Sequence, residues 1–255
     1  MKRGKRPFRL WAVLFWLLCW QGAAAAMAAA YPAGHLLLAS PISALRRLGE
    51  LAVTGEFWSA VCTSAVHIFG GFAVSCLLAV VLAALSARFS PVRELVAPLA
   101  AAVKAVPVVS FIILALVWVD GGSLSLLISG LMAFPTVYGS VLTGIVQTDR
   151  QLLEMAQVFR VPWRRQLWGI WLPSVLPYFR SAVSLAMGLC WKSGVAAEVI
   201  GLRDGTVGER LYSAKVYFQT ADLFAWTAVI VVLSAVMERL FLRGVDALAG
   251  KVGAA

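Results

Sequence analysis

Long apolar runs separated by short polar intervals set the pattern of this chain. Six runs can be drawn, approximately over residues 10–30, 57–87, 95–119, 124–147, 168–200 and 223–242. A helix needs roughly 20 apolar residues to cross a bilayer, and each of these runs has that length. Backbone N–H and C=O groups inside hydrocarbon must be satisfied within the segment, so each run is predicted to be a helix. The expected fold class is all-α, a polytopic membrane protein with about six transmembrane helices. Residues 1–255 are expected to form one transmembrane domain, with a core over about 54–243 and residues 1–53 as a first span plus an external connector.

Two polar-bearing intervals carry a helical period of their own. In the longer, Asp149 to Pro177, a helix over 151–159 puts Leu152, Met155, Ala156 and Phe159 on one side, with Gln151, Glu154 and Gln157 facing away. Pro162 lacks an N–H and disfavours helical geometry at Val161, so the helix is expected to stop there. Trp163, Trp168 and Trp171 then sit at headgroup depth beside Arg164 and Arg165. The interval at about 149–167 thus reads as a loop that offers a short amphipathic helix to a soluble partner. In the other, over 41–51, Ile42, Leu45, Leu48 and Leu51 recur in three-residue steps with Arg46, Arg47 and Glu50 interspersed, which predicts a membrane-lying connector.

Lys and Arg orient the spans, because short cytoplasmic loops are enriched in them. One side collects Lys2, Arg3, Lys5, Arg6, Arg9, Arg88, Arg93, Arg150, Arg160, Arg164, Arg165, Arg239, Arg243 and Lys251; the other has Arg46, Arg47, Arg203, Arg210 and Lys215. Both termini and the 149–177 interval are therefore expected to be cytoplasmic, and the segments 31–56 and 201–221 external. The first run also has the basic start, apolar stretch and AAAAMAAA of a signal peptide. Its length, and the membrane protein that follows it, lead us to expect a retained span.

Composition agrees with this pattern: 61% hydrophobic, 13% charged, mean hydropathy +0.87. These values exclude an ordinary soluble domain. The net charge of +10 forms no dense patch with interleaved aromatics, so anionic lipid headgroups, and not nucleic acid, are the expected partner. Cys19, Cys62, Cys76 and Cys190 are isolated, His35 and His67 stand singly, and no metal site is expected. No nucleophile–base pair and no G-x4-G-K-[ST] occurs, so the chain is expected neither to be an enzyme nor to bind ATP itself.

Charges inside the apolar runs are the exception to the pattern, since such groups are expensive unless they face protein or water. Lys104 lies about one-third into the third run, where snorkelling to the surface competes with a place on a polar path. Pro107 is expected to bend that run just beyond it, and Phe134-Pro135-Thr136 to break the fourth near its middle. Lys192 and Glu198 are six residues apart, hence about 120° apart around a helix and too far round for an ion pair with each other. Lys192, near the midplane, is a candidate contact for an anionic solute or for pairing with another helix. Glu198, near the outer end, is expected to anchor the loop that follows.

One stretch carries a family pattern. E-x-A-x3-R-x9-I-x-L-P, formed here by Glu154, Ala156, Arg160, Ile170, Leu172 and Pro173, resembles the EAA loop of ABC-importer permeases. In that family the loop is the coupling helix that inserts into a cleft of a cytoplasmic ATPase. The resemblance thus implies ATPase coupling through Leu153, Glu154, Ala156, Phe159, Arg160 and Pro173. The chain departs from the family at Met155, where Ala is usual, and at Arg160, where Gly permits a positive φ. A left-handed Arg costs about 1 kcal/mol or more, so Arg160 is expected to stay helical, with the turn shifting to Val161-Pro162.

The run K-A-V-P-x-V-S over 104–110 and a W-x5-A-E-x-I stretch from Trp191 are similar to permeases of the nitrate, taurine and aliphatic-sulfonate type. That resemblance implies a type I importer fold and a translocation path near Lys104, Pro107, Ser110, Trp191, Lys192 and Glu198. It also implies partners: ATPase subunits that bind the ATP, a second permease copy, an extracytoplasmic solute-binding protein and the lipids of the cell membrane. The implied solute is a small anion, although related permeases serve neutral heterocycles. The alternative is a self-sufficient ion-coupled transporter, which requires inverted repeats with corresponding broken helices, and the two halves show no such repeat.

Overall fold

A computed structural model describes residues 10–31 and 34–252. Among these residues it is helical, with no strand. The cations Lys2, Arg3, Lys5, Arg6 and Arg9, the Pro32-Ala33 turn, and the side chains of His35 and Lys251 lie outside the described residues. The elements in order are α1 (Leu10–Ala30), α2 (Gly34–Leu37), α3 (Pro41–Ala52), α4 (Gly55–Arg88), α5 (Ser90–Ala105), α6 (Val108–Ala115) and α7 (Gly121–Val146). They continue with α8 (Arg150–Val158), α9 (Trp163–Gln166), a π-turn (Leu167–Trp171), α10 (Leu172–Gly201), α11 (Val207–Val216) and α12 (Thr220–Val252). Five helices are long and apolar enough to cross a membrane, or six if α5 and α6 count as one broken span.

The chain divides into two units, Met1–Ser59 with Arg210–Val229, and Ala60–Glu209 with Ile230–Ala255. In the first, the expected amphipathic helix is present as α3. Ser40 caps it by accepting a hydrogen bond from the Ser43 N–H at 3.1 Å, and Pro41 occupies the first turn, where its missing N–H removes nothing. Arg47 ties α3 down: its Nε and Nη2 donate to the two oxygens of Asp222, at 2.5 and 3.2 Å, and its Nη1 to Glu50 at 3.0 Å. These donors hold the Glu50 carboxyl below the ordinary carboxylate range, Arg47 contributing most and Arg46 adding to it. Trp20 of α1 donates its indole N–H to the Ala39 carbonyl at 3.0 Å, and Phe57 stacks on Trp226 with ring centroids 5.1 Å apart.

In the second unit α7 and α10 form the central pair. Small residues bring the backbones of α4 and α7 together, as membrane helices require in the absence of a hydrophobic drive between them. A Cβ on Gly71 would strike the Leu126 carbonyl and the Ser129 hydroxyl, and one on Gly130 would meet the Gly71 carbonyl at 2.9 Å. Around these contacts Ile68, Phe72, Val137, Met187 and Trp191 are buried, and α6 is held by a cluster of Ile112, Ala115, Leu124, Ile128 and Ala197.

Of the two expected proline breaks, one is present. The third run bends at Pro107 as expected, and sharply: α5 and α6 meet at 105°. Val106, preceding Pro107, is extended with ψ 135°, as a pre-proline residue prefers, and α6 restarts with Pro107 as its cap. Pro135, by contrast, does not break the fourth run, because α7 continues through it from Gly121 to Val146. A proline whose preceding residue stays helical removes one backbone hydrogen bond without ending the helix. The fifth run begins earlier than expected, at Trp163, and takes in the π-turn before α10.

Candidate functional site

The 149–167 loop starts at Asp149, whose side chain accepts from the Gln151 N–H at 2.8 Å and so caps α8. Arg150 and Glu154 pair along the helix at 3.0 Å on its exposed face. Of the apolar residues expected to share a packing side, only Ala156 is buried, at 1% exposure. Leu152, Met155, Val158 and Phe159 stay exposed, so the α8 segment presents apolar side chains that none of the described residues covers.

Arg160 corrects the sequence expectation. It does not remain helical but takes φ +50°, the left-handed conformation that glycine usually supplies. The Arg160 N–H donates to the Gln157 carbonyl at 3.0 Å, and the Val161 N–H to the Ala156 carbonyl at 2.9 Å. That pair of bonds is a Schellman termination. The turn cannot move to Val161, which is β-branched and precedes a proline, so the strain falls on Arg160. Beyond it the Gln166 amide donates to the Val161 carbonyl at 2.8 Å, and the Ser174 hydroxyl to the Ile170 carbonyl at 2.7 Å. Leu153 is half-buried, and Glu154 and Pro173 are exposed.

The residues expected on a translocation path separate into two groups. Lys104 in the last turn of α5, Pro107 and Ser110 at the α5–α6 bend, and Lys192 on α10 are all exposed. Lys104 Nζ reaches towards Gly139 of α7, 4.0 Å from where a Cβ would stand. Neither lysine makes an ion pair or hydrogen bond among the described residues. Trp191 and Glu198 are instead buried within the unit.

Glu198 is the centre of a network that hydropathy does not reveal. Its Oε2 accepts from the Ser64 hydroxyl at 2.8 Å and from the Gly208 N–H at 3.1 Å, while Ser64 Oγ accepts from the Val207 N–H at 2.9 Å. Two N–H groups in the first turn of α11, which no helical carbonyl can satisfy, are thereby paired. Gly208 permits this approach, since a Cβ there would strike Glu198 Cβ and come within 2.8 Å of the Val199 N. The intervening loop turns through Leu202 at φ +48° and Gly205 at φ +68°, and Arg203 donates to the Gly122 carbonyl. No periodic signal pointed to Ser64 or Gly208. Elsewhere in this unit Ser184 donates to Glu238, and Arg180 pairs with Asp246 at 2.6 Å.

Several apolar spans, a broken helix carrying an unpaired lysine and an amphipathic helix held outside the spans define a multi-pass membrane component of a transport system. Residues 75–252 match the family described as the binding-protein-dependent transport system inner membrane component, and the chain belongs to that family. It is the permease subunit of an ABC importer, a transport component that works with an ATPase and a solute-binding protein. It is 29% identical over 191 residues to a candidate aliphatic sulfonates transport permease of Bacillus subtilis, covering 74% of this chain and 68% of that one. It is 24% identical over 209 residues to the taurine transport system permease of Escherichia coli, covering 80% and 76%. With the riboflavin transport system permease of Chloroflexus aurantiacus it shares 26% identity over 235 residues, covering 89% and 86%.

Proposed function

We propose that this permease imports a small organic anion, of the sulfonate or taurine kind, across the cytoplasmic membrane as a pair of identical copies. Lys104 and Lys192 carry the proposal: each is exposed, lies within an apolar segment and has no carboxylate partner among the described residues. A cation so placed is costly in lipid, and a path shared with a second copy would give both lysines water and an anion to face. Pro107 and Ser110 stand at the bend beside Lys104, and Trp191 and Glu198, buried on α10 with Lys192, complete the proposed path. The names of the sulfonate and taurine relatives agree with an anion, whereas the riboflavin relative shows that the family is not confined to one solute.

The drive comes from separate ATPase subunits docked on α8, which bind the ATP. Their closure moves α8 and shifts the spans between outward- and inward-open states. The contact uses the exposed apolar residues of α8 together with Leu153, Glu154, Phe159, Arg160 and Pro173, while buried Ala156 seats the helix behind them. Both termini then lie in the cytoplasm, and the α11 side meets the binding protein.

The test is reconstitution of the assembled transporter in proteoliposomes. Lys192→Gln and Lys104→Gln are expected to lower taurine or alkanesulfonate uptake while the ATPase still co-purifies. Glu154→Arg is expected to lose the ATPase. Undiminished anion uptake in the double lysine variant, or uptake of a neutral heterocycle alone, would overturn the anion assignment.

A further inference from the structure

A groove of about 850 Å³ opens where α8 meets the spans. It falls in the size range of built ligand sites, roughly 300–1,000 Å³. Its walls are largely apolar and include Val80 and Ala84 of α4, Val141 of α7, Leu153 of α8 and Phe179 of α10. The polar character of its lining comes mainly from two arginines, Arg88 at the end of α4 and Arg150 at the start of α8, and no carboxylate lines it. Arg88 makes no ion pair among the described residues; its guanidinium lies 5.9 Å from the Phe89 ring. Arg150 engages Glu154 through Nε alone, leaving its terminal nitrogens uncommitted. Trp163 and Trp171 also line the groove, and the Trp171 indole N–H is buried without an acceptor.

We infer that this groove seats an anionic diacyl phospholipid, its phosphate between Arg88 and Arg150 and its acyl chains along the Val80–Ala84 and Val141 walls. The charge pattern selects this occupant. Arg88, with no ion pair among the described residues, and the terminal nitrogens of Arg150, which Glu154 engages through Nε alone, attract an anion. An apolar cleft of this size at the edge of the spans takes hydrocarbon, and basic pockets between membrane helices use that combination to hold acidic headgroups. Tryptophan at the headgroup level is placed for the ester region. Because Leu153 forms one wall, a seated lipid bridges the coupling helix to α4 and α7. Its presence stiffens the joint through which α8 moves the spans.

The experiment is native mass spectrometry of the detergent-purified chain, washed free of loosely held lipid and then titrated with phosphatidylglycerol or phosphatidylcholine. One phosphatidylglycerol per chain is expected to be retained, with about tenfold preference over phosphatidylcholine. Arg88→Gln with Arg150→Gln should abolish the preference. Ala84→Phe, at an exposed position, should fill the groove and lose the lipid while the melting temperature stays that of the unaltered protein. Equal retention of the two lipids, or retention unchanged in the variants, overturns the inference. So does displacement by inorganic phosphate, which would mark a site for free anions, or by the ATPase or a second copy, which would mark the groove as a protein contact.

Discussion

The N–H of Gly208 at the start of α11 donates at 3.1 Å to the carboxylate of Glu198 on α10, whose side chain has no exposed surface. The same carboxylate oxygen receives the Ser64 hydroxyl from α4, so three separate stretches of chain converge on it. These two donors, both on Oε2, offset part of the cost of burying the carboxylate, and through them it secures the connection that follows the fifth span.

Removing that acceptor leaves the Ser64 O–H and the Gly208 N–H without the acceptor they share, although Ser64 Oγ still accepts from Val207. Glu198→Ala is expected to destabilise the protein by roughly 1–3 kcal/mol. Thermal unfolding in detergent should show the loss, and limited proteolysis should find residues 201–209 newly accessible. Unchanged values for both would show that the carboxylate does not hold the loop.

Gly208→Ala approaches the same joint from the other partner. The added methyl would overlap Glu198 Cβ and the backbone beside it, with an expected cost of about 1–3 kcal/mol. Gly49→Ala, on α3 with open space around the Cβ position, is the control and should not destabilise. Equal melting temperatures for the two variants would count against the close approach.

Arg160 stores strain in the turn that ends α8. Arg160→Gly relieves it and should leave stability unchanged or raised, since the gain in the left-handed region is offset by a more flexible unfolded chain. Arg160→Val puts a β-branched residue there and should cost about 1–2 kcal/mol. Amide exchange of residues 150–161 is the sensitive measurement, and faster exchange in the glycine variant than in the valine variant would contradict the assignment.

Protonation should loosen α3. The Glu50 carboxyl is held below its ordinary value by Arg47 and then Arg46, so it binds protons less readily folded than unfolded. The stabilisation is therefore present above the unfolded value of about 4.3 and is lost as pH falls through the lowered folded value. Amide exchange over residues 41–52 is expected to speed up on going from neutral to strongly acidic pH, and Glu50→Gln should weaken that dependence. A profile identical in the variant would remove Glu50 from the account.

The membrane class, the number of apolar segments, the α3 helix and the helix over 150–158 were all legible from residue order, because they depend on short-range quantities. Hydropathy over about 20 residues decides a span, and a 3.6-residue period with a polar cap and a following proline decides an amphipathic helix. The family pattern through Glu154, Ala156 and Pro173 was legible for the same reason: its residues lie within one loop. Tertiary structure alone decided what depends on distant neighbours. Pro107 gives a 105° break and Pro135 gives none, although each residue type carries the same local penalty, so the surroundings of each helix must settle the outcome. Local φ/ψ energies argued against a left-handed Arg160, and the need to turn before Val161-Pro162 overrode them. Ser64 and Glu198 are 134 residues apart, and their pairing exists only because helix packing brings α4 and α10 together. The same packing buries Glu198 and leaves Lys192 exposed, a difference set by which face of α10 meets a neighbour, which composition and spacing along the chain do not determine.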